Sequence, residues 1–116
     1  MIAFRALLIA LLTLVVVYTM IVVANHGLGL FPVFFGDIAE MAWPGQFNVD
    51  FMCFLALSGF WLAWRHHFSP AGLALGILGF LGGAPLLFTY ILVVSARVKG
   101  DVPALMMGEQ RASAWR

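Results

Sequence analysis

The 26 residues from Ala71 to Ala96 carry no charged side chain, and this run limits the fold more than any other feature of the chain. A helix needs roughly 20 apolar residues to cross a bilayer, so 26 suffice with some tilt. The run opens on "SPAG", with Ser69 suited to the N-cap and Pro70 to the first helical position. Pro85, just after Gly82-Gly83, predicts a kink, because it removes a backbone hydrogen bond and clashes with the preceding turn. Gly72, Gly76, Gly79 and Gly83 fall at i, i+4, i+7 and i+11, which places them on one helical face. In lipid such a face lets another backbone approach closely. It serves either as a packing face or as a gap filled by lipid or pigment.

Two further apolar runs accompany it. Ala6 to Ala24 lies between Arg5 and Asn25-His26-Gly27. It exceeds the usual signal-peptide core of about 7–15 residues and reads as a retained helix. Phe51 to Trp64 has 14 uncharged residues, which cover only about 21 Å of a layer roughly 30 Å thick. This helix must therefore extend past Asp50, past Arg65, or both. With Asn48 as N-cap, Asp50 falls in the first turn, about one turn inside the interface. There the helix dipole favours a carboxylate by about 0.3–1 kcal/mol. Trp61 and Trp64 suit an aromatic belt at the other end.

Composition agrees. Hydrophobic residues make up 64% of the chain and charged residues 9%, against roughly 25% charged in soluble domains. The expectation is an all-α membrane protein with three transmembrane helices at about 4–25, 48–66 and 70–96. Residues 1–97 form one domain and 98–116 a polar tail. Between the first two spans, "GLGLFPVFFGDIAEMAWPGQ" sets Phe34, Phe35, Ile38 and Met41 against Asp37 and Glu40. That pattern predicts a short interfacial helix at about 33–42, ending before Pro44-Gly45. It reads as a lid on the bundle or as a docking surface for another subunit.

Three straight spans put the N-terminus and second loop on one side, and the first loop and tail on the other. Arg97, Lys99, Arg111 and Arg116 then outnumber Arg5 and Arg65 and favour a cytoplasmic tail, whereas Arg5 ahead of the first helix argues the reverse. This topology would bring Asn25, His26, Asp50 and Arg97 to one membrane face. An ionisable group inside a span is a functional candidate by default. Arg97 is the first expected partner of Asp50 and His26 the second. The carboxylate's roles range from capping and orientation, through an ion pair, to proton or ligand handling.

Other chemistry is sparse. His66-His67 sit at a helix end, where cationic side chains are favoured, and they point about 100° apart, a poor arrangement for chelation. His26 could ligate a chlorin magnesium or a haem iron. Cys53 is the only cysteine. No glycine-rich phosphate loop, HExxH or nucleophile elbow occurs. Ser58-Gly59 suits a close helix contact, with the hydroxyl bonded to the preceding turn. The tail's "ALMM" suits docking on a partner or on the membrane. A net charge of +1 gives no case for nucleic acid.

"FNVDFMCFLALSGFWLAWRHH" followed by "LGILGFLGGAPLLFTYILVVSAR" resembles a bacterial family of small membrane proteins known as domain of unknown function 2834. The resemblance covers about residues 28–97 and implies three hydrophobic helices, with an aspartate opening the second and a small-residue-then-Pro-Leu motif in the third. Carried over by residue, these are Asp50, Ser58, Gly82, Gly83, Pro85, Leu86 and Tyr90. Arg65-His66-His67 depart from the acidic residue expected after the second helix. The resemblance implies no activity.

Two functions follow as expectations. The first is a non-enzymatic accessory subunit of a larger bacterial inner-membrane complex, respiratory or photosynthetic. It would have integral membrane subunits and lipids as partners, and bound lipid, carotenoid or (bacterio)chlorophyll in place of an intrinsic cofactor. The second is a small homo-oligomeric transporter or channel component using Asp50.

Overall fold

Almost every residue is helical in the computed structural model, which describes residues 1–116. The order is α1 (Ile2–His26), α2 (Leu30–Glu40), α3 (Trp43–Arg65), α4 (Pro70–Arg97), α5 (Val102–Met107) and α6 (Glu109–Trp115), with no strand. Three of these, α1, α3 and α4, are long and apolar enough to cross a membrane.

Helix α3 starts five residues earlier than its sequence suggests. Pro44 occupies the first turn, where a missing N–H costs no hydrogen bond, so the Trp43-Pro44 pair opens the helix. Asn48 is therefore not a cap. Its side-chain amide donates to the Phe34 carbonyl at 3.0 Å and ties α3 to α2. Gly45 packs on the backbone of Asp37 and Ile38. Contacts 45 to 37 and 48 to 34 run in opposite senses, so α2 and α3 form an antiparallel pair. Met41, expected on the apolar face of α2, instead takes the left-handed conformation that ends it.

Helix α4 begins as expected: the Ser69 hydroxyl accepts from the Gly72 amide at 3.1 Å. Its first arm, 70–82, packs antiparallel on α3. Gly59 and Gly76 face each other so closely that a Cβ on either would lie 2.7 Å from the other's carbonyl oxygen. Gly72 and Gly79 share this buried face, so the glycine spacing marks a packing surface between two helices of this chain.

The path of α4 then departs from the straight or kinked span. Gly83 adopts φ 65° and ψ −150°, a region that residues with a Cβ rarely enter. At this residue the chain reverses. Leu86 folds back over Gly79 and Gly82, and Gly83 rests near Phe51 and Leu55 of α3. The second arm, 84–97, returns to the end from which α4 started. Each arm is about 20 Å long, short of a hydrocarbon layer of roughly 30 Å. The fourth glycine of the stripe is thus the turn of a helical hairpin, and Pro85 sits in the first turn of the returning arm.

Helix α1 packs on that returning arm. Arg5, Leu8, Leu12 and Val15 turn inward, at spacings of three and four residues. From Val16 to His26 every residue of α1 is exposed. The inward stripe stops where the hairpin stops.

Candidate functional site

The polar residues gather where α3 ends. Arg65, the last residue of α3, is buried. Its Nε donates to the Leu105 carbonyl at 2.8 Å and Nη2 to the Ala104 carbonyl at 3.0 Å, while Nη1 donates to the Tyr90 hydroxyl at 2.9 Å. The guanidinium so joins α3, the returning arm of α4 and the tail. Its charge is stabilised by the carbonyl ends of α3 and α5 in place of a carboxylate.

The Tyr90 oxygen lies 2.7 Å from His66 Nε2. With Arg65 donating to that oxygen, the tyrosine proton is free to point at the imidazole, which suits a neutral His66. The electrostatics agree: burial first, then the Arg65 cation, then His67 hold the His66 pKa below its ordinary 6.5.

The tail completes the clasp. Trp61 Nε1 donates to the Met106 carbonyl at 3.0 Å, and its ring meets Tyr90 edge to face at 5.8 Å. The Arg111 guanidinium stacks 4.1 Å above the Trp64 ring and also donates to the Trp64 carbonyl. Ala104, Leu105 and Ala112 are buried beneath, and Arg116 pairs with Asp101. The "ALMM" segment therefore docks on its own chain. Beside the clasp an apolar groove of about 400 Å³ is lined by Phe4, Ser58, Trp61, Leu87, Ile91 and Met106, among others.

The same end holds the start of α1. Arg5 donates from Nε to the Ser95 hydroxyl at 3.0 Å and from Nη2 to the Ser95 carbonyl at 2.8 Å. Met1 lies against Gly100. Arg5, Arg65, Arg97, Lys99, Arg111 and Arg116, which are all the lysines and arginines of the chain, thus lie at one end of the molecule. The tail is not across from the N-terminus, as three straight spans would require, because α4 doubles back.

Asp50 lies toward the opposite end. It is seven residues inside α3, about 10 Å along the helix, so it belongs to the third turn and not to the cap. Its side chain is exposed and makes no ion pair, since Arg116 with Asp101 is the only one in the chain. Arg97 is exposed at the other end, and His26 ends α1 exposed, without a side-chain hydrogen bond. The expected meeting of Asn25, His26, Asp50 and Arg97 does not occur. Asp50 shares its face with Gln46, Val49 and Cys53, bordering a groove of about 560 Å³ that Ile38 and Met41 also line.

Of the remaining site candidates, Gly76 and Gly79 meet α3, Gly72 packs on His66 just past its end, Gly83 makes the turn, and Pro85 follows it. Ser58 lines the apolar groove and makes no back-bond of the kind that Thr19 and Thr89 make to Val15 and Pro85. Sequence reasoning missed Arg65 as an anchor, along with Arg5, Ser95 and Arg111. The available signal was arginine itself, at the edge of each apolar run. No family model, curated protein or solved structure matches the chain.

Proposed function

We propose that this chain is a non-enzymatic integral membrane subunit that packs against other subunits of a larger membrane complex. One observation carries the reading. The chain binds one end of itself tightly and leaves every residue of α1 from Val16 to His26 exposed. That arm is about 16 Å long, and it stands apart from α3 because the hairpin of α4 stops at Gly83. The polar groups at the basic end support the same reading, since Arg65, Tyr90, Trp61 and Arg5 hold backbone and hydroxyl groups of the fold itself.

The charge distribution supports an orientation. Six lysines and arginines lie at one end, whereas the other carries Asp37, Glu40 and Asp50 and no lysine or arginine. By the positive-inside tendency the basic end, with both termini, faces the cytoplasm.

A second reading, a small homo-oligomeric channel or transporter component, draws on the broken helix. Half-helices that end at membrane depth line ion and substrate sites in several transporter folds. Against it, Gly83 is packed by Phe51, Leu55 and Leu86, and Asp50 belongs to a different face of α3 from Gly59, which holds the hairpin.

Gentle extraction followed by native sizing separates the two. The accessory reading expects co-migration with a larger membrane complex. A homo-oligomer whose reconstituted transport disappears in Asp50→Asn would replace it.

A further inference from the structure

Resting on the accessory reading, we infer that the Asp50 face of α3 receives a transmembrane helix of a different protein, and that this helix carries a lysine or arginine at the depth of Asp50. Four observations lead there. Asp50 is about 10 Å inside a membrane-length helix and exposed, a place where carboxylates are rare and face partners or water. Nothing in its own chain pairs with it. Gln46, Val49, Asp50 and Cys53 recur at i, i+3, i+4 and i+7 and so form one stripe. The groove of about 560 Å³ beside that stripe gives a second helix a seat.

Charge decides the occupant. Asp37 and Glu40 on the adjoining α2 add to the negative field at this end. A second copy of the chain would bring no cation to that depth. Arg5 is bound to Ser95 and Arg65 to the tail, both at the far end, and Arg97, Lys99, Arg111 and Arg116 lie there too. His26 closes α1 at its terminus. A symmetric pair through this face would set carboxylate against carboxylate. A basic residue from another protein satisfies the site; a copy of the same chain does not.

Cys53, on the same stripe, provides the test. p-Benzoyl-phenylalanine is incorporated at position 53 of the full chain in its native membrane, and the photo-adduct is mapped by mass spectrometry. The expected adduct joins position 53 to a transmembrane segment of another protein, with a lysine or arginine within one helical turn of the cross-linked residue. Asp50→Lys is expected to reduce that adduct at least tenfold, and changing the partner's basic residue to glutamate to restore it. Protease protection of the tail in Asp50→Lys checks that the fold is kept. Adducts between two copies, adducts to lipid alone, a captured segment without a basic residue, or indifference to Asp50→Lys would each overturn the inference. If the chain still co-migrates with a complex in that case, the accessory reading survives and only the Asp50 assignment falls. If it migrates alone, both fall.

Discussion

The two ends of this molecule solve opposite problems. At the basic end the chain supplies its own partners: Arg5 binds Ser95, Arg65 binds the tail and Tyr90, and Arg111 stacks on Trp64. At the acidic end the chain supplies few. Helix α1 is exposed at every residue beyond Val15, and Asp50 has no counter-charge. One residue separates these regimes. Because Gly83 reverses α4, the second arm strengthens the basic end and is withheld from the other. Apolar surface has little cost in lipid, so a bare helix is tolerated there, while a bare carboxylate is not.

The largest effect that would break this contrast is expected at Arg65. Arg65→Met removes three hydrogen bonds to a charged group and leaves the Leu105 carbonyl without its donor, whereas the Ala104 carbonyl keeps the Gly108 N–H and the Tyr90 hydroxyl keeps His66. Hydrogen bonds to a charged group are worth about 1.5–3 kcal/mol each, so at least about 4 kcal/mol of stability should be lost, and protease should cut within 98–103. A tail that stays protected would refute the clasp. Next comes the helix contact. In Gly76→Val a Cβ 2.7 Å from the Gly59 oxygen forces α3 and α4 apart, and overpacking of this kind costs about 1–3 kcal/mol. Chemical unfolding in mild detergent measures it.

A matched pair sharpens the comparison along α1 itself. Leu8 is buried at 4% exposure, whereas Val17 is 50% exposed. Leu8→Ala should cost about 2 kcal/mol through its cavity, and Val17→Ala less than about 0.5 kcal/mol. Equal losses would mean that the distal half of α1 has a partner within its own chain.

The smallest effect is expected from pH. His66 is held below its ordinary 6.5, so below that value the unfolded chain binds more protons than the folded one. Stability should be complete above pH 6.5 and decline as the pH falls below it, levelling once the folded histidine is also protonated. Tail proteolysis followed against pH measures this, and His66→Gln should flatten the curve. A rise in stability on acidification would contradict the neutral acceptor role.

Much of the fold is legible in the sequence, because run length and lack of charge alone mark three long apolar helical segments. The Ser69-Pro70 start is legible for the same local reason, a hydroxyl cap followed by a residue with no N–H to satisfy. The hairpin is harder to read. Twenty-six uncharged residues look alike whether they form one span or two half-length arms, since hydropathy carries no direction. The mark was present in Gly82-Gly83-Ala84-Pro85, a glycine past the end of one helix and a proline just inside the next, but it also reads as a kink. The Arg97 partner expected for Asp50 depended on that straight path and failed with it, whereas His26 lies toward the Asp50 end but α1 does not pack on α3 there. The start of α3 was misplaced because Asn48 suits a cap equally well in isolation, and only its bond to Phe34 reveals the other role.

The reversal at Gly83 is the central claim, and one distance measurement tests it directly. Spin labels are placed at positions 68 and 99, and in a second sample at 28 and 99, after Cys53 is replaced by serine. The hairpin predicts that positions 68 and 99 lie at one membrane face, within about 25 Å of each other. Positions 28 and 99 should then be separated by at least the roughly 30 Å of the hydrocarbon layer. A short distance between 28 and 99 with a long one between 68 and 99 would make α4 a straight span and overturn the account.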